Sequence, residues 1–595
     1  MKKQLSQSNN NEAYNNTFWI IISSLILLGI LLRFFHIDLR PFHHDESLNA
    51  IYGRYFYHHP TTHYYKYHPM LHGPFLYCVY PFWYQIFGTT ISSARIFMAT
   101  MGSALLFLPY IFRSYLKSNI VLLLTGFLAT APSLIYWARY VRHDSPMLIA
   151  ISLSLIAFLF KCPWKRALLF IVPFMVQFTI KENAFLHFAI LFLYLFYEAI
   201  FVKVFKCETE TYLTKVLTFC KKNIIPIVVS VLIGAFLFIL FFSAFFNYPQ
   251  GVLDGLYRKS LAYWVEQHNI DRIKGPFIYQ ILFLSWYEQV FLIAVISQMF
   301  HFYMKRSKNI RIIFSTILLI SILLNQLIPE ARFNSGFLSE VLKLKLPLDI
   351  YPFVILMFHA VFSTSILLLE KKNKLALFNY LFTAMFFTYS LVGEKVPWLS
   401  LYPIYFGVIF LSFYLSEEVS DFHFYFKTTW MKALIALCFL FQLRMAIMIN
   451  YSRAGHATEL ISQVHTSTQY ESLLFKLKSK LESKHLPRQH KLLILKENTW
   501  PLTWYLYEIP GFYYIQGITP TQDYDYVLSS TQDKTTQDAL KETHHLIRTP
   551  FRWWWVPPYK TMTFKQWFNY GLNHNPWTVT GTMDVNLYIK KGLTL

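Results

Sequence analysis

Five hundred and ninety-five residues would make about four soluble domains at roughly 150 residues each. Composition excludes that for most of the chain, because 55% is apolar and only 14% charged, against about a quarter charged in soluble proteins. The 54 Lys+Arg exceed the 32 Asp+Glu by 22; with a mean hydropathy of +0.35, that excess belongs to inner loops and anionic lipid or phosphate sites, not to nucleic acid.

A bilayer core takes about 20 apolar residues per helix. Such stretches run about 17–35, 94–112, 119–137, 146–160, 166–180, 184–204, 224–246, 277–303, 311–328, 350–369, 375–392, 398–416 and 431–450, about thirteen in all. The first lacks a cleavage site and precedes further spans, so it reads as an anchor. With Met1, Lys2 and Lys3 in the cytoplasm, the same side receives the basic linkers Arg113–Lys117, Lys161–Arg166, Lys203–Lys222, Lys305–Arg311 and Lys371–Lys374. That count requires Phe75–Gly88, short and interrupted by Pro81, to lie in the interface. The outer face then receives 36–93, 138–145, 247–276, 329–349, 393–397 and the tail.

The expected organisation is a polytopic α-helical membrane unit, 1–450, with a large first outer loop, 36–93, followed by a soluble α/β domain, 451–595. In the tail, Lys491–Lys496, Tyr526–Ser529 and Thr578–Lys590 read as strands and Trp500–Tyr507 as a helix, after a polar stretch to about 490. Trp553, Trp554 and Trp555 suit a core or a membrane-docking edge. The cysteines, at 78, 162, 207, 220 and 438, form no CxxC pair, so neither a zinc site nor a disulfide framework is expected.

Ionisable groups at the membrane edge are costly and point to function. Just past the first span stand the adjacent acids Asp45 and Glu46. They suit a general base or a cation site, or else the capped first turn of a helix. Further along the loop, Lys66, His68 and His72 lie among tyrosines and prolines. Arg139 and Arg142 are spaced to share a helical face and one phosphate, with Asp144 beside them. Lys181–Glu182 reads as a tight polar turn or a buried ion pair. Trp264, Gln267, His268 and Arg272 suit a sugar or a phosphate, and so does the turn carrying Glu394, Lys395 and Trp398. Taken one by one, snorkelling cations and solvated loops explain these groups equally well; together they converge on one face. A transporter would place its polar groups at broken helices near the midplane. Group transfer from a phosphate-bearing lipid suits this pattern better.

The stretches HHDESLNA (43–50), YHPMLHGPFLY (67–77), ARYVRHDSPM (138–147), KENAF (181–185), YWVEQHNIDRIKGPFIY (263–279), YSLVGEKVPWL (389–399) and WPLTWYL (500–506) carry a resemblance. In this order they resemble the GT-C superfamily of polyprenyl-phosphate-sugar-dependent glycosyltransferases. Within it they are similar to the flippase-activity-associated, dolichyl-phosphate-mannose mannosyltransferase-like branch, which is family 39-like. The resemblance implies a GT-C fold and inverting transfer from a polyprenyl-phosphate-sugar to a glycolipid, glycan or protein acceptor. It implies Asp45 as the base, Glu46 as a supporting acid, and Asp144 as the second-loop acid, which binds a divalent cation in some members. It also implies Arg139, Arg142, Lys181, Arg272, Lys395 and Lys66 as phosphate holders, with His68, His72, Glu182, Trp264, Gln267, His268, Glu394 and Trp398 around the substrate. No cofactor is required by these residues, and the divalent cation is left open. His68-Pro69-Met70 departs from the Lys-Pro-Pro type turn of related transferases, with Lys66 two positions away as a substitute. The alternatives are a polytopic lipid or sugar transporter, or a flippase-associated protein without catalysis.

Overall fold

The computed structural model describes residues 15–60, 63–260, 262–263, 277–327, 350–419, 428–482, 492–495, 500–509, 512–515 and 524–595. All thirteen apolar stretches are helical. Six helices among the described residues are long and apolar enough to cross a membrane, and eight when each of two bent pairs counts once. The chain is thus a polytopic α-helical membrane protein, with several of the thirteen stretches shorter or more polar than a full span.

The first helix, α1 (Asn16–Phe34), starts where the Asn15 side chain accepts from Phe18 N at 2.9 Å, meeting one of the N–H groups that every helix start leaves open. In the first loop lie α2 (His44–His58) and α3 (Phe75–Phe87), the latter covering the short apolar stretch at 75–88, and α4 (Ile91–Ala104) follows.

Two of the expected spans are broken. The stretch 119–137 bends by 55° between Ser118–Thr130 and Pro132–Ala138, where Pro132 has no N–H to continue the ladder. The stretch 277–303, expected as one span, turns by 119° between Tyr279–Tyr287 and Gln289–Met304. The breaks are joined, because Glu288 Oε1 accepts from Ser133 N at 2.7 Å, satisfying an N–H that the first bend exposes.

The linkers sort to two ends. At one, Lys117 Nζ donates to Val419 O at 3.2 Å, Arg306 pairs with Glu370 at 2.9 Å and Lys374 pairs with Glu417 at 2.5 Å. At the other, the first loop meets residues 138–145 and 181–183, through Arg142 on Asp45 and Glu182 on His72, and also the C-terminal domain, through Arg54 on Trp504 O.

That domain is one six-stranded sheet in the order β1-β5-β6-β4-β2-β3. Its strands are β1 (His465–Thr466), β2 (Leu492–Leu495), β3 (Phe512–Ile515), β4 (Tyr526–Ser530), β5 (His544–Trp554) and β6 (Gly581–Lys590). The strand β2 runs parallel to β3 and β4, and the other pairings are antiparallel. The three expected strands and the short helix (Leu502–Tyr505) are present. The long strand β5 and the helix Thr468–Glu482 lie in stretches that sequence reading leaves unassigned. This helix is amphipathic, burying Tyr470, Leu473, Leu474, Leu477 and Leu481 at helical spacing.

Those side chains join Leu492, Tyr526 and Leu587 of the sheet and Phe42, Ile51, Leu76 and Tyr80 of the first loop in one apolar cluster. The soluble domain and the first loop therefore share a core. The tail motif makes part of the join: Arg54 of α2 donates to Trp504 O at 3.2 Å, and its guanidinium lies 4.6 Å from the Tyr507 ring centre. Of the tryptophan run, Trp555 is buried against Tyr570 and Trp577, each at 4.7 Å, which makes it core.

A polar latch supplements the apolar join. Glu459, which is buried, takes Arg453 Nε at 2.6 Å, His574 Nδ1 at 2.7 Å and the Tyr287 hydroxyl at 3.0 Å. Tyr287 belongs to the membrane unit and His574 to the domain. Glu459→Ala would leave the buried His574 ring and the one-fifth exposed Arg453 without their acceptor, which costs about 1–3 kcal/mol, so limited proteolysis should release the C-terminal domain from the mutant faster than from the wild type.

Candidate active site

The cap of α2 sets the site. His43 is the N-cap, its Nδ1 accepts from Asp45 N at 3.0 Å, and Glu46 reaches back to His43 N at 3.2 Å, a reciprocal capping box. Consecutive residues on a helix diverge by about 100°, so the two acids part company.

Glu46 turns inward and is 0% exposed. Its Oε1 takes Arg95 Nε at 2.9 Å and Val141 N at 3.1 Å; its Oε2 takes Arg95 Nη2 at 2.7 Å, Arg40 Nη2 at 3.0 Å and His43 N at 3.2 Å. A carboxylate has about four lone-pair sites, so Glu46 is saturated. The first-loop acid expected to support catalysis instead binds the loop, α4 and the segment around Val141 together.

Asp45 turns toward Arg142, which donates to Oδ2 at 2.8 Å, while His44 Nε2 lies 3.3 Å from Oδ1. Its side chain is 30% exposed. Burial works against the Asp45 charge, but His44 and Arg142 outweigh it and hold the carboxyl below its ordinary range. Burial, reinforced by Arg552 and Arg142, brings His44 down to about 4, so that ring is neutral at pH 7.

Asp144 is 1% exposed; its Oδ1 takes Lys181 Nζ at 2.8 Å and the Tyr402 hydroxyl at 2.8 Å, and its Oδ2 lies 3.2 Å from Arg142 Nε as an ion pair without a hydrogen bond. Arg142 thus bridges both aspartates, its guanidinium 3.6 Å from the Trp398 ring centre. Two carboxylates and two cations make a compact neutral set. Gly73 brings the first loop against this set: its N donates to Ile180 O at 3.2 Å, and a Cβ there would meet Thr179 O at 2.1 Å.

Several expected residues are placed differently. Arg139 and Arg142 share no helical face, because the helix ends at Ala138 and the next begins at Asp144. Arg139 donates to the carbonyls of Phe35 at 2.7 Å and His36 at 2.6 Å, and to Leu32 and Arg33 at 3.3 Å. It closes the end of α1, whose last carbonyls have no helical partner. Lys395 plays the same part for the helix Asn373–Leu391, donating to Ser390 O, and to Val392 O at 2.7 Å. Lys181 pairs with Asp144 and not with Glu182, which takes the Tyr67 hydroxyl at 2.7 Å and His72 Nδ1 at 2.9 Å. His68 is exposed and caps a short turn through Met70 N at 3.3 Å. Lys66 is exposed, with its ammonium 5.6 Å from the Tyr64 ring centre, and Glu394 is half-buried. Trp264, Gln267, His268 and Arg272 lie outside the described residues.

Sequence reading missed Arg95, Tyr402 and Arg552. Arg95 carried a signal, a charge at the head of an apolar span; Tyr402, among many tyrosines, carried none.

A divalent cation was left open by the resemblance, and the donor set can be tested for it. His43, His44 and Asp45 offer ligand atoms within 4.8 Å of one another. Both His43 nitrogens are already engaged, Nε2 with Val464 O, and Nδ1 with Asp45 N and, at 2.5 Å, the Tyr140 hydroxyl. Arg142 and Lys181 already neutralise the two aspartates. The residues present do not fit a divalent cation.

Fold and site together define a polytopic membrane protein with a cluster of paired charges roofed by a soluble sheet domain. No protein-family model matches the chain, and no curated protein does. Among solved structures it is similar to the archaeal oligosaccharyltransferase AglB from Archaeoglobus fulgidus in complex with an inhibitory peptide and a dolichol-phosphate. That match has 10% identity over 91% of this chain and 74% of the other, with a TM-score of 0.48. It is also similar to ArnT from Cupriavidus metallidurans in the apo state, with 12% identity, 89% and 95% covered, and a TM-score of 0.44. Against the same ArnT bound to undecaprenyl phosphate, identity is 12%, coverage 90% and 96%, and the TM-score 0.36.

Glu46→Gln should leave Arg95 and Arg40 short of a buried counter-charge and lower stability by about 3–5 kcal/mol. Asp45→Asn, half-open with one strong ion pair, should lose only about 1 kcal/mol. Thermal unfolding in detergent should therefore rank Glu46→Gln well below Asp45→Asn.

Proposed function

We propose that the chain is an inverting glycosyltransferase that moves a sugar from a polyprenyl-phosphate donor to an acceptor hydroxyl. It works at the membrane face roofed by the soluble domain, which on this reading is the outer face. The observation that carries the reading is that Asp45, alone among Asp45, Glu46 and Asp144, is open to solvent while held ionised by Arg142. The ordered motifs from HHDESLNA to WPLTWYL support it.

In this reaction Asp45 takes the proton of the acceptor hydroxyl as the acceptor oxygen bonds to the anomeric carbon. The bond from that carbon to the phosphate oxygen breaks in line, and the polyprenyl phosphate leaves with the electron pair. Inversion sets base and leaving group on opposite sides of the sugar. Charge grows on the phosphate, so fixed cations there lower the barrier. On this reading they are Lys181, which uses one of its three donors on Asp144, with Lys66 and Arg272. Glu182 and His72 line the sugar side. Acceptors compatible with the face are a glycolipid, a glycan or a protein side chain.

The joined helix breaks at Ser133 and Glu288 are the one observation that favours a lipid or sugar transporter. There, however, the acid is engaged in closing the bend.

A general base contributes about 10²–10⁴-fold, so Asp45→Asn should lower turnover by that factor while undecaprenyl phosphate still binds. Because its pKa is depressed, Asp45 stays ionised above the ordinary aspartate value of about 3.9, and activity should persist to below that pH. Arg142→Gln should move the acid limb upward. Undiminished envelope glycosylation in Asp45→Asn cells, read by mass spectrometry of glycans and glycolipids, would sink the assignment. A reporter fused after Leu595 should report the outer compartment, and a cytoplasmic signal would mean the span count is wrong by one.

A further inference from the structure

The charges around Asp45, Glu46 and Asp144 pair with Arg40, Arg95, Arg142 and Lys181, and a cation from the soluble domain is left over. Arg552 lies on β5 opposite Thr466 of β1, whose hydroxyl donates to Phe42 O at 3.0 Å. This strand pair therefore abuts the start of α2. Arg552 acts electrostatically on both His44 and Asp45. Among the described residues, however, no carboxylate forms an ion pair with it, and its Nε is buried without a hydrogen-bond partner. Its contacts are a long bond from Nη2 to Trp500 O at 3.4 Å and the Phe551 ring, whose centre is 4.6 Å away.

On the α2 side of this junction a second polar atom is unsatisfied as well. His44 turns Nε2 toward Asp45, and its Nδ1 is buried without a partner. A neutral imidazole that donates through Nε2 accepts through Nδ1, so that atom suits a hydroxyl. The junction of β5 with the start of α2 thus carries a hydroxyl-accepting nitrogen, an ionised carboxylate and a guanidinium fork without an ion-pair partner among the described residues. Buried polar groups of native proteins are almost always satisfied, and a planar fork matches phosphate or carboxylate.

We propose that this junction is an acceptor subsite in which Arg552 holds an anionic group, so that the acceptor is a hydroxyl compound carrying a phosphate or carboxylate. The proposal rests on Asp45 being the base. In an in-line displacement the groups beside the base touch the attacking molecule, while the donor phosphate lies across the sugar. A charge-assisted bond of this kind fixes how the acceptor hydroxyl meets Asp45 and discriminates against neutral sugars.

The test uses the full chain in detergent with two probe pairs: sn-glycerol 3-phosphate against glycerol by thermal shift, and phosphatidic acid against diacylglycerol by native mass spectrometry. Wild type and Asp45→Asn should prefer the phosphate-bearing member of at least one pair. A preference in the lipid pair alone indicates a glycolipid acceptor, and in the soluble pair a free saccharide. Arg552→Gln should weaken that binding roughly ten- to hundred-fold, and Arg552→Lys, which keeps the charge without the fork, by less. Should the Gln variant fail to fold, the Lys variant carries the comparison. No phosphate preference in wild type, or unchanged binding in the Arg552 variants, overturns the proposal. Glycosylation that survives Asp45→Asn sinks the base instead and leaves the Arg552 binding result standing.

Discussion

The saturated carboxylate of Glu46 is the constraint on which the site depends. Five donors from three separate stretches of chain converge on its two oxygens. Each of those donors is buried, and a buried cation without its counter-charge is strongly unfavourable. The first loop can therefore adopt only an arrangement that brings Arg40, Arg95 and Val141 to one point. The N-cap at His43 follows from that clasp, and the N-cap aims Asp45 away from it.

The second consequence is electrical. Arg142 reaches Asp45 on one side and Asp144 on the other, resting on Trp398. With Lys181 the set is neutral, so it can be taken out of water without a net charge to bury. Within it the two aspartates are unequal: Asp144 is closed over by Lys181, Arg142 and Tyr402, whereas Asp45 keeps an open edge. One acid has become part of the scaffold and the other remains chemically addressable, a division set by environment and not by residue type.

The soluble domain takes part in this as more than a cover. Its amphipathic helix and sheet share an apolar cluster with the first loop, and the Glu459 latch ties its last helix to Tyr287. Val464 and Thr466 bond His43 and Phe42 directly. A domain so coupled can set the shape of the cleft above Asp45, and Arg552 is the charge it brings there.

Much of this was legible in the sequence. Hydropathy and turn signals located the apolar helices, the basic linkers around Lys117, Arg306 and Lys374 that gather at one end, and three of the six strands. The two bends were not read from the sequence, although Pro132 and Glu288 stand at them, because the apolar runs on either side of each are long enough together for one span; nor was β5, whose polar residues mask its strand pattern. The adjacent acids, the Arg139–Arg142 pair and Lys181 were visible as candidates, but their roles were not. Arg139 and Lys395 looked like phosphate holders and instead close helix ends. Glu46 looked like Asp45's equal and is its scaffold. A residue's type and spacing determine what chemistry it could perform; its partners, here up to 454 residues away in the chain, decide what it has left to offer. Only the tertiary structure brings those partners together, because a charge is claimed by whatever lies within a few ångströms of it in space, and sequence distance does not enter Coulomb's law.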